Sequence, residues 1–163
     1  MLRRRRGFTL IEAVVVTAIV AALVSLTWPT FGARLTHHRL TAAAEGLAQD
    51  LAETRFRAAE TGQALHLSFS GAGADWCYAV ARSPGCDCRG ALACQLKVVR
   101  GGDWPGIQLA QARDAHFDPA QADPPRGGAE LVSNQGERLR IETSALGRPQ
   151  ICAPTAVGGY RRC

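Results

Sequence analysis

The stretch from Phe8 to Phe31 holds 24 residues and a single charge, Glu12. As a helix it reaches about 36 Å at a rise of 1.5 Å per residue, against a bilayer core of about 30 Å, so it is long enough to cross a membrane. Arg3, Arg4, Arg5 and Arg6 precede it, and Arg34 and Arg39 are the first basic residues after it. The positive-inside rule then puts the amino terminus in the cytoplasm and the body on the far side. A secretory signal peptide fits poorly, because the run is too long and no small-x-small cleavage site follows it. A plain anchor does not explain Glu12. A carboxylate at the membrane centre costs roughly 2.5–3.5 kcal/mol on insertion scales, so such an acid has a partner or a purpose.

The formal charge of +5 is weak evidence for a polyanionic partner. Four of the 19 basic residues are the leading arginines, and the rest of the chain carries 15 basic against 14 acidic residues. The length of 163 residues allows one domain beyond the anchor, with a small core, and no internal repeat or low-complexity tract is visible.

After the apolar run, Leu40, Ala44, Leu47, Leu51 and Ala58 recur at helical spacing, which predicts an amphipathic helix over 32–62 able to lie against a sheet. Arg39, Glu45, Gln49, Asp50, Glu53, Arg57 and Glu60 read as its solvated face, and Thr61-Gly62 as its end. From residue 63 the period becomes two. ALHLSFS and WCYAVA alternate, and QLKVVR, GIQLAQ, AELVS and RLRIETS are further short strands between turns such as GGDWPG, DPPRGG and LGRP. The expected fold class is α+β: one long amino-terminal helix, its second half packed on an antiparallel body over 63–163, built as one twisted sheet or two small ones.

Cys77, Cys86, Cys88, Cys94, Cys152 and Cys163 all fall in the body. An even count in a small exported domain predicts a disulfide framework. A zinc site of Cys77, Cys86, Cys88 and Cys94 is disfavoured by spacing that matches no common zinc knuckle and by the oxidising compartment. Cys152 and Cys163 flank the terminal loop and are expected to pair, a closure of about a dozen residues that contributes roughly 3 kcal/mol in the chain-entropy picture. The pairing of the other four stays open. No catalytic motif appears. His37, His38, His66 and His116 lack a matching nucleophile, Asp114 and Asp118 read as loop residues, and the chain is expected to be neither an enzyme nor a cofactor binder.

The stretch R-G-F-T-L-I-E resembles the leader of the type IV pilin superfamily. The resemblance implies that residues 1–7 are a leader, removed between Gly7 and Phe8 by a prepilin peptidase that also methylates Phe8. Glu12 then becomes the fifth mature residue, the acid that meets the terminal amine of a neighbouring subunit during filament assembly. That pairing makes two costly charges tolerable in lipid. Pro29 falls where many such proteins carry a helix-kinking proline, and proline removes a helical hydrogen bond. Residues 8–31 are then the transmembrane and filament-core helix of a single-pass bacterial inner-membrane protein with a periplasmic head.

The end of the chain, RIETSALGRPQICAPTAVGGYRRC, resembles the terminal strands of the FimT-like minor pilins and H-type pseudopilins, in which a strand leads through a Gly-Arg turn into a second strand ending at cysteine. The resemblance implies a minor pilin that enters or primes a pilus filament, with other pilins as partners, or alternatively a minor pseudopilin of type II secretion. DNA-binding members of the FimT-like group carry Gly-Arg-x-Arg, and here Gly147-Arg148-Pro149-Gln150 lacks the second arginine. Yet Arg126, Arg138, Arg140, Arg148, Arg161 and Arg162 face only Glu130, Glu137 and Glu142, a local +3. A Cys152–Cys163 bridge would draw Arg161 and Arg162 toward Arg148. Two readings stand: a basic tail that aids solubility, or a phosphate-directed DNA patch without sequence preference.

Overall fold

A computed structural model describes residues 9–90, 94–120 and 126–163, the side chains of residues 26–31 excepted. The chain divides into two units, Met1–Leu35 and Thr36–Cys163. Helix α1, Leu10–Thr61, contributes to both. Thr9 starts it: the Glu12 backbone N–H donates to Thr9 Oγ1 at 3.3 Å, so Glu12 occupies the third helical position of a Thr-x-x-Glu start. Gly62 ends it at φ 64°, a left-handed conformation that costs glycine nothing.

In the second unit eight strands follow α1: β1 (Leu65–Ala72), β2 (Asp75–Ala81), β3 (Gln95–Arg100), β4 (Ile107–Arg113), β5 (Ala115–Phe117), β6 (Gly128–Ser133), β7 (Arg138–Thr143) and β8 (Pro149–Cys152). They form two four-stranded sheets in the orders β3-β2-β1-β5 and β4-β6-β7-β8, and every pairing is antiparallel. A bridge between Gly73 and Leu109, with N–O distances of 3.1 and 2.8 Å, ties one sheet to the other. At Gly128, φ is 152° and a Cβ would sit 1.9 Å from the Ile141 carbonyl oxygen, so only glycine lets β6 lie this close to β7.

Most of the core is one cluster. Leu40, Ala44, Leu47, Leu51 and Ala58 of α1 are buried in it together with Leu67 of β1, Tyr78 of β2, Ile107 of β4, Leu131 of β6 and Ile141 of β7. Both sheets therefore use α1 as their apolar cover, which is what the helical spacing implies. In β2 the large residues Trp76, Tyr78 and Val80 join this cluster, while Cys77 and Ala79 pack with Cys88 and Val98 in a second, smaller one. The strand is thus buried on both faces. Its small residues are covered by the Cys77–Cys88 bridge rather than by water.

One sequence expectation is corrected here. Asp50 is not on a solvated face: it is 4% exposed, accepts hydrogen bonds from Tyr78 Oη at 2.8 Å and from Lys97 Nζ at 2.5 Å, and so links α1 to β2 and β3. Leu47, Asp50, Leu51 and Thr54 lie at three- and four-residue spacing, so the buried stripe is wide enough to take in the acid. Burial, followed by the charge and hydrogen bond of Asp50, pushes the Tyr78 phenol well above its ordinary range. Asp114 and Asp118 lie outside the strands, as the sequence predicts, on either side of the short strand β5.

Leu51 is fully buried at the centre of the helical stripe. Leu51→Ala should lower the unfolding free energy of the head by about 2–5 kcal/mol, read as a lower urea midpoint with an unchanged slope.

Candidate functional site

Two regions carry the candidate functional residues, and each belongs to its own unit. In the first, Leu10, Ile11, Val14, Val15, Val16, Ile19, Val20, Leu23 and Val24 are all exposed, from 49 to 83%. These positions surround the helix on every side, and a helix apolar all round is one whose cover comes from outside its own chain. Glu12 sits in the first turn, exposed, where its negative charge also favours the positive end of the helix dipole. Among the described residues it has no ionic partner. Gly7 and Phe8 lie outside the described residues, as does the side chain of Pro29, although α1 runs through position 29. No helix is long and apolar enough to cross a membrane among the described residues. The side chains of residues 26–31, which the sequence counts toward a span, lie outside the described ones.

The second region is the polar outer face of the β4-β6-β7-β8 sheet and the terminal loop beside it. Cross-strand register places Gln111, Glu130, Arg140 and Cys152 in one row. Glu130 is 4% exposed and is held between two guanidiniums: Arg138 Nη1 donates to Oε1 at 2.9 Å, and Arg140 Nε and Nη2 donate to Oε2 at 3.1 and 2.8 Å. Burial works to raise the Glu130 carboxyl, but the hydrogen bonds and charges of Arg140 and Arg138 outweigh it and hold the group below the usual carboxylate range. Glu142 adds a further contact to Arg140 Nε at 3.7 Å. Arg138 and Arg140 are therefore committed to carboxylates. The +3 counted along the sequence is not a free patch of six arginines.

What remains for a polyanion lies at the chain's end. The structure joins Cys152 to Cys163, and pairs the other four cysteines as Cys77–Cys88 and Cys86–Cys94. Around the terminal bridge the Ala153 N–H donates to the Arg161 carbonyl at 2.8 Å, Val157 is buried, and Tyr160 Oη donates to Glu45 Oε1 of α1 at 3.1 Å. Arg161 Nη2 donates to Gln150 Oε1. A guanidinium thus stands beside position 150, although the sequence has glutamine there. Arg148, Arg161 and Arg162 are all exposed, with Arg148 at the end of the Ser144–Arg148 turn.

Sequence reasoning missed Glu130 as the organiser of this face. The alternation of AELVS puts it opposite Leu131, but its two arginine partners follow only from the β6–β7 register. The same face holds a cleft of about 510 Å³ with Arg113, Arg126, Glu130 and Glu142 among its lining residues. Arg113 and Arg126 are exposed and have no ionic partner among the described residues, so anionic groups can be accommodated there.

Residues 2–28 match the family model of the prokaryotic N-terminal methylation motif. The match supports a type IV pilin or pseudopilin. The long helix followed by antiparallel sheets is the α+β architecture of the type IV pilin-like fold. A pilin leader of this kind implies processing by a prepilin peptidase and assembly with other pilins. No curated protein and no solved structure matches the chain.

The depressed Glu130 carboxyl gives a signed pH dependence. With the native pKa below that of the unfolded chain, the unfolded state binds the proton first, and stability is lost as pH falls from the unfolded value, about 4.3, through the native one. Glu130→Gln should flatten this acid limb in stability measurements from pH 7 down to about 3, while lowering stability at neutral pH.

Proposed function

We propose that this chain is a minor type IV pilin, cut after Gly7, methylated on Phe8, anchored once in the bacterial inner membrane, and assembled into or priming a filament. The observation that carries the reading is the methylation motif over residues 2–28. The uncovered apolar half of α1 supports it, because a surface of that kind is stable only in lipid or against the same helices of neighbouring subunits. Glu12 in that setting pairs with the amine of the next subunit's Phe8, and Pro29 loosens the helix. The head, residues 63–163, lies in the periplasm, where its three bridges persist. The reading assigns the chain no catalysis and no cofactor. An H-type pseudopilin of a type II secretion system shares each of these features and is one outcome of the test.

Intact-mass measurement on the chain recovered from sheared filaments should find it beginning at methylated Phe8, and Glu12→Ala should leave the head folded but deplete the chain from filaments. Retention of residues 1–7, or normal incorporation of the variant, counts against the reading. Loss of protein export with normal piliation, on deleting the gene, favours the pseudopilin.

The same reading gives the terminal loop a role in DNA uptake, through Arg148, Arg161 and Arg162 rather than the ion-paired Arg138 and Arg140. Contacts of guanidinium with phosphate carry no sequence information and weaken steeply with salt. In a mobility-shift titration the full chain in detergent should bind duplexes of unrelated sequence equally at low salt and release them at physiological salt. Replacing Arg148, Arg161 and Arg162 together by alanine should abolish the shift. No shift at low salt, or one unchanged in the triple variant, leaves the loop as a solubilising tail.

A further inference from the structure

On the outer face of the first sheet, two histidines stand opposite each other. His66 in β1 and His116 in β5 are register partners, and their strand neighbours Leu65, Leu67, Ala115 and Phe117 point the other way, into the core. The two-residue period of a strand puts Asp114 and Asp118 on the same side of the chain as His116. The imidazole rings lie 4.4 Å apart between centroids at 24°, with Nδ1 to Nδ1 at 3.2 Å. Asp118 Oδ2 is 4.0 Å from His116 Nε2, and Asp114 Oδ1 accepts the Phe69 N–H at 2.9 Å. β5 is the edge strand of its sheet, so this face is open to approach from the side.

We propose that His66 and His116 form a binding site for a divalent transition-metal ion of the zinc type, completed by water, with the carboxylates of Asp114 and Asp118 flanking it. Zinc–nitrogen bonds of about 2.0–2.1 Å at a tetrahedral angle place two ligand nitrogens about 3.3–3.4 Å apart. The observed 3.2 Å gap matches that separation to within a few tenths of an ångström. In the present arrangement the two Nδ1 atoms lie side by side at this distance, and the ion would sit between them. The stacked rings must turn for their lone pairs to converge, which the broad, soft χ2 of histidine permits while the backbone register stays fixed.

The surroundings fit a cation. An imidazole ligates in its neutral form, with a lone pair on one ring nitrogen, and the two rings stand together on an open sheet face. Two neutral imidazoles beside two carboxylates carry a local charge of about −2, which a divalent ion neutralises. Asp118, on the Nε2 side of His116, is placed to take its N–H and orient the ring, the usual second partner of a metal-bound histidine. Imidazole donors suit zinc, nickel and copper, whereas calcium and magnesium prefer all-oxygen sites.

The experiment titrates the full chain in detergent with zinc chloride by calorimetry, and follows histidine ring signals by NMR. One equivalent should bind, shifting the His66 and His116 ring signals. His66→Gln and His116→Gln should each weaken binding about 10-fold or more, and Asp118→Asn by a smaller factor. Replacement of His37 and His38 should leave binding unchanged, as should an excess of calcium chloride. Circular dichroism checks each variant. If His66→Gln does not fold, His116→Gln on the edge strand and the wild-type ring shifts decide the question. Absence of binding up to about 1 mM zinc, unmoved ring signals, or full affinity retained in a folded His116→Gln variant would overturn the site.

Discussion

The head depends on the burial of one stripe of α1. Neither four-stranded sheet covers itself, and each packs its apolar face against the same row running from Leu40 through Leu47 and Leu51 to Ala58. Cover of this kind is non-directional, and alone it would allow the sheets to slide along the helix. Directional contacts set the position. Asp50 fastens the stripe to Tyr78 and Lys97 of the first sheet, Tyr160 fastens Glu45 to the terminal loop, and His37 Nδ1 meets Glu137 Oε1 at 3.1 Å next to the second sheet. Apolar area supplies the attraction and a few polar contacts supply the register.

The same helix obeys a different rule in its first half. Between Leu10 and Val24 apolar side chains occupy every side, so no stripe exists and no single neighbour could cover them. This change of pattern within one element, from all-round to one-sided hydrophobicity, is what makes the amino-terminal part read as an assembly or membrane segment and the rest as part of a domain. Only one polar group with a full charge, Glu12, interrupts the first pattern, and its place in the first helical turn gives it local work in starting the helix as well as the pairing proposed for it.

Much of this was legible in the sequence because periodicity reports burial directly. β3 falls on QLKVVR, and the strands read from GIQLAQ, AELVS and RLRIETS lie within a few residues of their observed ends. The rest depended on facts with no local signature. β5 has three residues between two aspartates, too short for alternation to show. Asp50 looked solvated because acids usually are, and its partners lie 28 and 47 residues away. Arg138 and Arg140 looked like free positive charge until the β6–β7 register placed Glu130 between them. Four clustered cysteines allow three pairings, and no spacing argument chooses among them.

The choice made among those pairings has a mechanical consequence. Cys77–Cys88 and Cys86–Cys94 overlap along the chain instead of sitting side by side, with Cα–Cα separations of 5.9 and 6.2 Å. Drawn out fully, the 17 residue steps from Cys77 to Cys94 would span roughly 60 Å. With both bridges closed, the shortest covalent route crosses one bridge, backs up over two residues and crosses the other, so the segment extends to only about 20 Å. A chain pulled along its backbone therefore has an almost inextensible section from Cys77 within β2 to Cys94 just before β3, and tension passes through it to these two strands with little lengthening of that segment.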